Sequence, residues 1–271
     1  MVVDLSLSTG AVVGVILSGG FVYVEIGRFA TPQVPETMFD ERREVFAYTA
    51  GLFVGIPLAI AFLFFLDSMS NGALLGALLF LAALVGGTEM AQWALLRSHY
   101  WGSSESGPFY ALGYRAGIAG IFALAIIAQY LAGVLVTWDG VVLVLVEAVA
   151  VLALEVGGAL LSLPPSAAAG RKGGGPLTGA VFEAVGFFVL GVGALSGVGS
   201  AEAEGVTYVA ALVALLGGVL VYRRLRPLLS AIPAPSAGAP PPAREAPALY
   251  GRTDRAPLEG GDDPGASERL E

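Results

Sequence analysis

Residues Val45–Leu66 read VFAYTAGLFVGIPLAIAFLFFL, an apolar run with no charged side chain. A helix that crosses the hydrocarbon core needs about 20 predominantly apolar residues, so this stretch predicts a transmembrane span. Pro57 within it predicts a kink, because proline removes one backbone hydrogen bond and crowds the preceding turn. Six further stretches meet the same standard: about 5–26, 72–96, 116–136, 140–163, 177–198 and 205–222. The composition of the 271 residues agrees, with 56% hydrophobic and only 13% charged residues. Soluble domains carry nearer one quarter charged residues. The predicted fold class is therefore all-α, a polytopic seven-helix transmembrane bundle over residues 1–226.

The charges sort the connections. The loop after the first span holds Arg28, Arg42 and Arg43, and the loop after the third holds Arg97 and is closed by Arg115. Arg171 and Lys172 follow the fifth span, Arg223, Arg224 and Arg226 follow the seventh, and the remaining arginines lie in the C-terminal tail. Those positions account for all 14 Lys and Arg residues. The N-terminus and the other connections offer Asp4, Asp67, Asp139, Glu202 and Glu204 instead. Basic residues in short loops stay cytoplasmic, which predicts an outer N-terminus and a cytoplasmic C-terminus in a cell membrane. The start, Met1-Val2-Val3-Asp4, lacks the positive region of a signal peptide.

Residues 227–271 change character, holding nine of the 16 prolines with scattered charges. Such a segment buries too little apolar surface to fold alone, and is expected to be a disordered, Pro-rich cytosolic tail. The run Asp40-Glu41-Arg42-Arg43-Glu44 reads as the solvated start of the second helix, its acids favouring the helix dipole. His99, Tyr100 and Trp101 suit an interfacial belt, and 170–175, Gly-Arg-Lys-Gly-Gly-Gly, lacks phosphate-loop spacing and reads as a connector.

Several chemistries are excluded. Cysteine is absent, so disulfides, thiolate metal sites and iron–sulfur clusters fall away. The single histidine, His99, cannot build a multi-histidine metal site. The net charge of −8 leaves no basic face for nucleic acid. The last span has no lysine for a retinal Schiff base, and no HExxH or GxSxG string occurs. No cofactor is expected, and the chain is not expected to be an enzyme.

Five glutamates fall within spans: Glu25, Glu89, Glu147, Glu155 and Glu183. At 1.5 Å per residue, Glu89, Glu155 and Glu183 lie about 10 Å from the cytoplasmic side of their spans. Gln92 shares the face of Glu89. Glycines stand beside each acid, as in Gly86-Gly87-Thr88-Glu89 and Glu155-Val156-Gly157-Gly158, and permit close helix approach. No Lys or Arg accompanies these acids at depth on this reading. An ionised carboxylate there costs about 2.5–3.5 kcal/mol, so protonation, water or a bound cation is needed. The expectation is a wet pocket that binds or transports a cation, a proton or a cationic small molecule through Glu89, Glu155, Glu183 and Gln92. Glu147 and Glu25 are additional candidates, and whether a metal ion binds is left open. The alternative is a non-catalytic scaffold or sensor subunit that engages a soluble partner through its loops and tail.

Overall fold

The computed structural model describes residues 2–29, 39–98, 107–131, 137–163, 175–195 and 201–226. Among them the fold is all-helical: α1 (Val2–Phe29), α2 (Glu41–Ser70), α3 (Leu74–Arg97), α4 (Gly107–Leu131), α5 (Trp138–Ser162), α6 (Pro176–Leu195) and α7 (Ala201–Leu225). All seven are long and apolar enough to cross a membrane, and their outward faces carry large apolar side chains such as Phe53, Leu75 and Leu220. A surface of this kind belongs in lipid rather than water. The chain is a multi-pass membrane protein in contact with a bilayer.

The helices form a closed bundle within the unit 1–234. The second unit, 235–271, lies outside the described residues, as do His99, Tyr100, Trp101, Arg171, Lys172 and the remainder of the tail from Pro227. One end of the bundle gathers the ends of α1, α3 and α7 and the starts of α2 and α4, with Arg28, Arg42, Arg43, Arg97, Arg223, Arg224 and Arg226. This is the arginine-rich end. The opposite end has Asp67 and Asp139 and, among the described residues, no arginine. The α2–α3 reversal there passes through Gly72, whose φ of 69° only glycine adopts without strain.

α2 starts at Asp40, whose side chain accepts a hydrogen bond from the Arg42 amide and so caps the first turn. It runs unbroken through Pro57. α4 occupies the middle of the bundle: 89% of its spanning window is buried, against 22–50% for the others. Glycine puts it there. A methyl group on Gly51 of α2 would collide with the Tyr114 carbonyl, and one on Gly117 of α4 with the Tyr48 carbonyl. The backbones of α2 and α4 therefore touch, as small residues allow between membrane helices. Stacked Phe62 and Phe122, 5.2 Å apart, meet Phe187 of α6 and fill the interior beyond. Phe29, Phe39 and Phe109 pack edge to face nearer the arginine-rich end.

α4 departs most from its expected bounds. It begins at Gly107, not near Ala116, with Pro108 in the first turn, where the missing amide hydrogen costs nothing. Arg115 is thus no loop residue. It sits about 12 Å along the helix from Gly107.

Candidate functional site

An arginine in the middle of an apolar helix must find anions or water. Arg115 is 0% exposed and finds anions. Its Nη2 donates to Glu89 Oε1 at 2.8 Å, and its Nη1 donates to Glu155 Oε2 at 2.9 Å. Its Nε donates to Gln92 Oε1 at 2.5 Å. Glu183 Oε1 also stands 2.8 Å from Nη1, but outside hydrogen-bonding alignment. Four helices contribute: α3 gives Glu89 and Gln92, α4 Arg115, α5 Glu155 and α6 Glu183. About 10–12 Å of helix separate Glu89, Arg115, Glu155 and Glu183 from the arginine-rich ends of their own helices.

The guanidinium fork suits this duty, because its planar donors reach several acceptors at once. The surrounding residues fix their partners. Ser162 Oγ donates to Glu89 Oε1 at 2.5 Å, and Gln92 Nε2 donates to the Ala159 carbonyl at 3.4 Å. Glycine makes room for the acids. A Cβ on Gly158 would occupy the place of the Glu183 carboxylate. A Cβ on Gly179 would strike Ser162 Oγ and come within 2.9 Å of Glu89 Oε1.

The structure therefore brings Glu89, Gln92, Glu155 and Glu183 together, but not around an open pocket. The expectation that no arginine shares their depth is overturned by Arg115. Its charge marks the end of a connection in the sequence, whereas in the structure it lies about two turns inside α4. The acids are also more enclosed than expected: Glu155 and Glu183 are 0% exposed and Glu89 is 7% exposed. Pairing is nevertheless incomplete. Both Glu183 oxygens and Glu155 Oε1 lack a hydrogen-bond partner. Among the described residues, no group of three His, Cys, Asp or Glu has metal-ligating geometry.

The other acids lie elsewhere. Glu147 is half-buried in α5 and joins no ion pair among the described residues. Glu25 belongs to a separate cluster at the arginine-rich end. It accepts hydrogen bonds from the Tyr222 hydroxyl and from Arg28, the latter at 2.9 Å, and Arg226 stands 3.7 Å away. Arg226 is thus tied to Glu25 rather than serving only as a headgroup anchor. Glu44, expected on the solvated start of α2, is instead buried at 2% exposure against Gly113 of α4. The close α2–α4 contact that glycine permits draws it inward.

Compared with known protein families, curated proteins and solved structures, the chain shows no match.

Proposed function

We propose that the chain is a non-catalytic carrier that binds and releases a proton or a small cation at the Arg115 cluster. One observation carries this reading: three buried carboxyl groups share one guanidinium. Fully ionised, the cluster would hold two negative charges in excess. Each uncompensated charge in the membrane interior costs about 2.5–3.5 kcal/mol. Two further positive charges, as protons or as a cation, remove that cost. Glu183 Oε2 and Glu155 Oε1, which have no hydrogen-bond partner, are where they would sit. Arg115 is then a built-in competitor. Glu183 Oε1 already stands 2.8 Å from Nη1, so a charge arriving on Glu183 weakens that pairing and its departure restores it.

The distribution of arginines supports a cytoplasmic C-terminus, and on that reading the cluster lies in the cytoplasmic half of the membrane. Reconstitution into proteoliposomes with an internal pH dye tests the reading. A pH jump should give protein-dependent flux, and Glu183→Gln should lower it at least tenfold. Undiminished flux in Glu89→Gln, Glu155→Gln and Glu183→Gln alike would remove the proposed role. The scaffold reading depends on residues 227–271, outside the described residues. Deleting that tail should leave flux intact on the carrier reading.

A further inference from the structure

Between α3 and α6 runs an apolar groove of about 380 Å³, within the roughly 300–1,000 Å³ typical of small-molecule sites. Leu78, Ala82, Val85 and Gly86 line it from α3, and Ala180 and Ala184 from α6. It faces lipid: Leu78 is 48% exposed, and Val181, also in the lining, 55%. Small side chains on both helices leave the furrow, and a Cβ on Gly86 would meet nothing within 4 Å.

The lining of the groove ends at Gly86 and Ala180, about one turn of α3 short of Glu89. Leu78, Ala82, Val85 and Glu89 follow one another at steps of four, three and four residues, so they share one face of α3. On α6, Gly179 adjoins the lining residue Ala180 and lies under the Glu89 carboxylate. Glu89 is also the one carboxylate of the cluster with any remaining exposure. Apolar walls open to lipid that end about one turn from a carboxylate, within a cluster short of positive charge, match one ligand chemistry. It has an alkyl chain for the groove and a cationic nitrogen for Glu89.

We infer that the α3–α6 groove admits a lipophilic amine from the bilayer and presents its protonated nitrogen to Glu89. The inference rests on the carrier reading and names its substrate class. A hydrophilic cation would gain nothing from the groove, and a neutral lipid chain nothing from the carboxylate. The substrate reaches the cluster sideways from the membrane, past Gly86.

Equilibrium binding of radiolabelled dodecylamine to the full chain in phosphatidylcholine nanodiscs, corrected by empty nanodiscs, tests this. Saturable binding is expected, weakened at least tenfold by Gly86→Leu and by Glu89→Gln. Ethylamine and dodecanol should compete at least tenfold less well than unlabelled dodecylamine. Gly86→Leu points into open space, and Ala82→Leu plugs the same groove should the first variant fail to fold. Wild-type affinity in both plugged variants overturns the inference, as does equal competition by dodecanol or wild-type affinity in Glu89→Gln. The two readings fail separately. Absent dodecylamine binding beside proton flux that Glu183→Gln abolishes overturns this inference alone. Groove- and Glu89-dependent binding beside flux untouched by all three glutamine variants supports it, while the proton reading falls.

Discussion

The Arg115 cluster and the Glu25 cluster use the same side chains and reach opposite charge balances. At Glu25, one buried carboxylate faces two arginines and a tyrosine hydroxyl. At Arg115, one buried guanidinium faces three carboxyl groups. Position along the helices explains why both are tolerated. Glu25 is within a turn of the end of α1, and the side chains of Arg28 and Arg226 remain 47% and 34% exposed. A cationic surplus there is solvated, because long side chains snorkel to the interface. Arg115, Glu155 and Glu183 are wholly enclosed and about 10–12 Å deep, where no such relief exists. An acidic surplus at that depth has to be neutralised, by protons or by a bound cation. A charge network is a stable tie at one site and a candidate exchange site at the other.

The comparison breaks most sharply at Arg115. Arg115→Met leaves three carboxyl groups without their shared cation, and should destabilise the protein by about 3–5 kcal/mol, the usual cost of removing one partner from a buried ion pair. Thermal unfolding in detergent measures it. Adding Glu89→Gln, Glu155→Gln and Glu183→Gln to the same chain should recover most of the loss, because no unpaired charge is then left buried. A melting temperature unchanged in Arg115→Met would mean that the guanidinium does not hold the cluster together. Arg115→Lys should fall between, since one ammonium cannot reproduce three directed contacts.

Packing comes next. Gly179→Val would push α6 away from Ser162 and Glu89, and overpacking of this sort costs about 1–3 kcal/mol. The same bulk on Gly205 of α7, whose Cβ would meet nothing within 4 Å, should cost about 0.5 kcal/mol or less. Equal melting temperatures for the two valine variants would show that the cluster does not require the close α5–α6 approach.

The seven helices were legible in the sequence because hydropathy acts over whole spans and the bilayer fixes their length. Glu89, Glu155 and Glu183 were legible because the connection pattern set their depth. Arg115 was not, and the reason is physical. A lone arginine lowers the local hydropathy and invites a span boundary, whereas an arginine that replaces its hydration with three carboxyl groups behaves as part of the interior. Two signals pointed to it. Gly107–Tyr114 before it carries no charge, and Gly113 and Gly117 straddle it at packing spacing. A helix-contact motif that spans a supposed loop boundary argues against the boundary. Glu44 was misjudged for a related reason: its burial follows from the α2–α4 glycine contact, a tertiary event that local charge patterning does not encode.

Smaller effects sharpen the contrast at the arginine-rich end. Glu25→Gln keeps the shape but weakens charge-assisted bonds to Arg28 and Tyr222. Because the Arg28 side chain is about half exposed, solvent screening holds the expected loss to about 1 kcal/mol. Raising salt should narrow the difference between wild type and variant. A loss above about 3 kcal/mol would place this cluster with the deep one, since that is the scale of a fully buried pair.

Glu44 should show the smallest effect. It is as buried as Glu25, yet no Lys or Arg stands within salt-bridge distance among the described residues, and its Oε2 has no hydrogen-bond partner. An ionised carboxylate in that setting would cost several kcal/mol, so the group is expected to be neutral in the folded protein. Glu44→Gln then exchanges one neutral group for another of nearly the same shape, and the melting temperature should move by the equivalent of about 0.5 kcal/mol or less. Glu44→Leu should fare worse than Glu44→Gln, because it crowds a surface where Gly113 leaves room for a flat carboxyl. If Glu44→Gln instead lost as much stability as Arg115→Met, Glu44 would be an ionised partner in a charge network. The two ends of the electrostatic comparison would then no longer be separate.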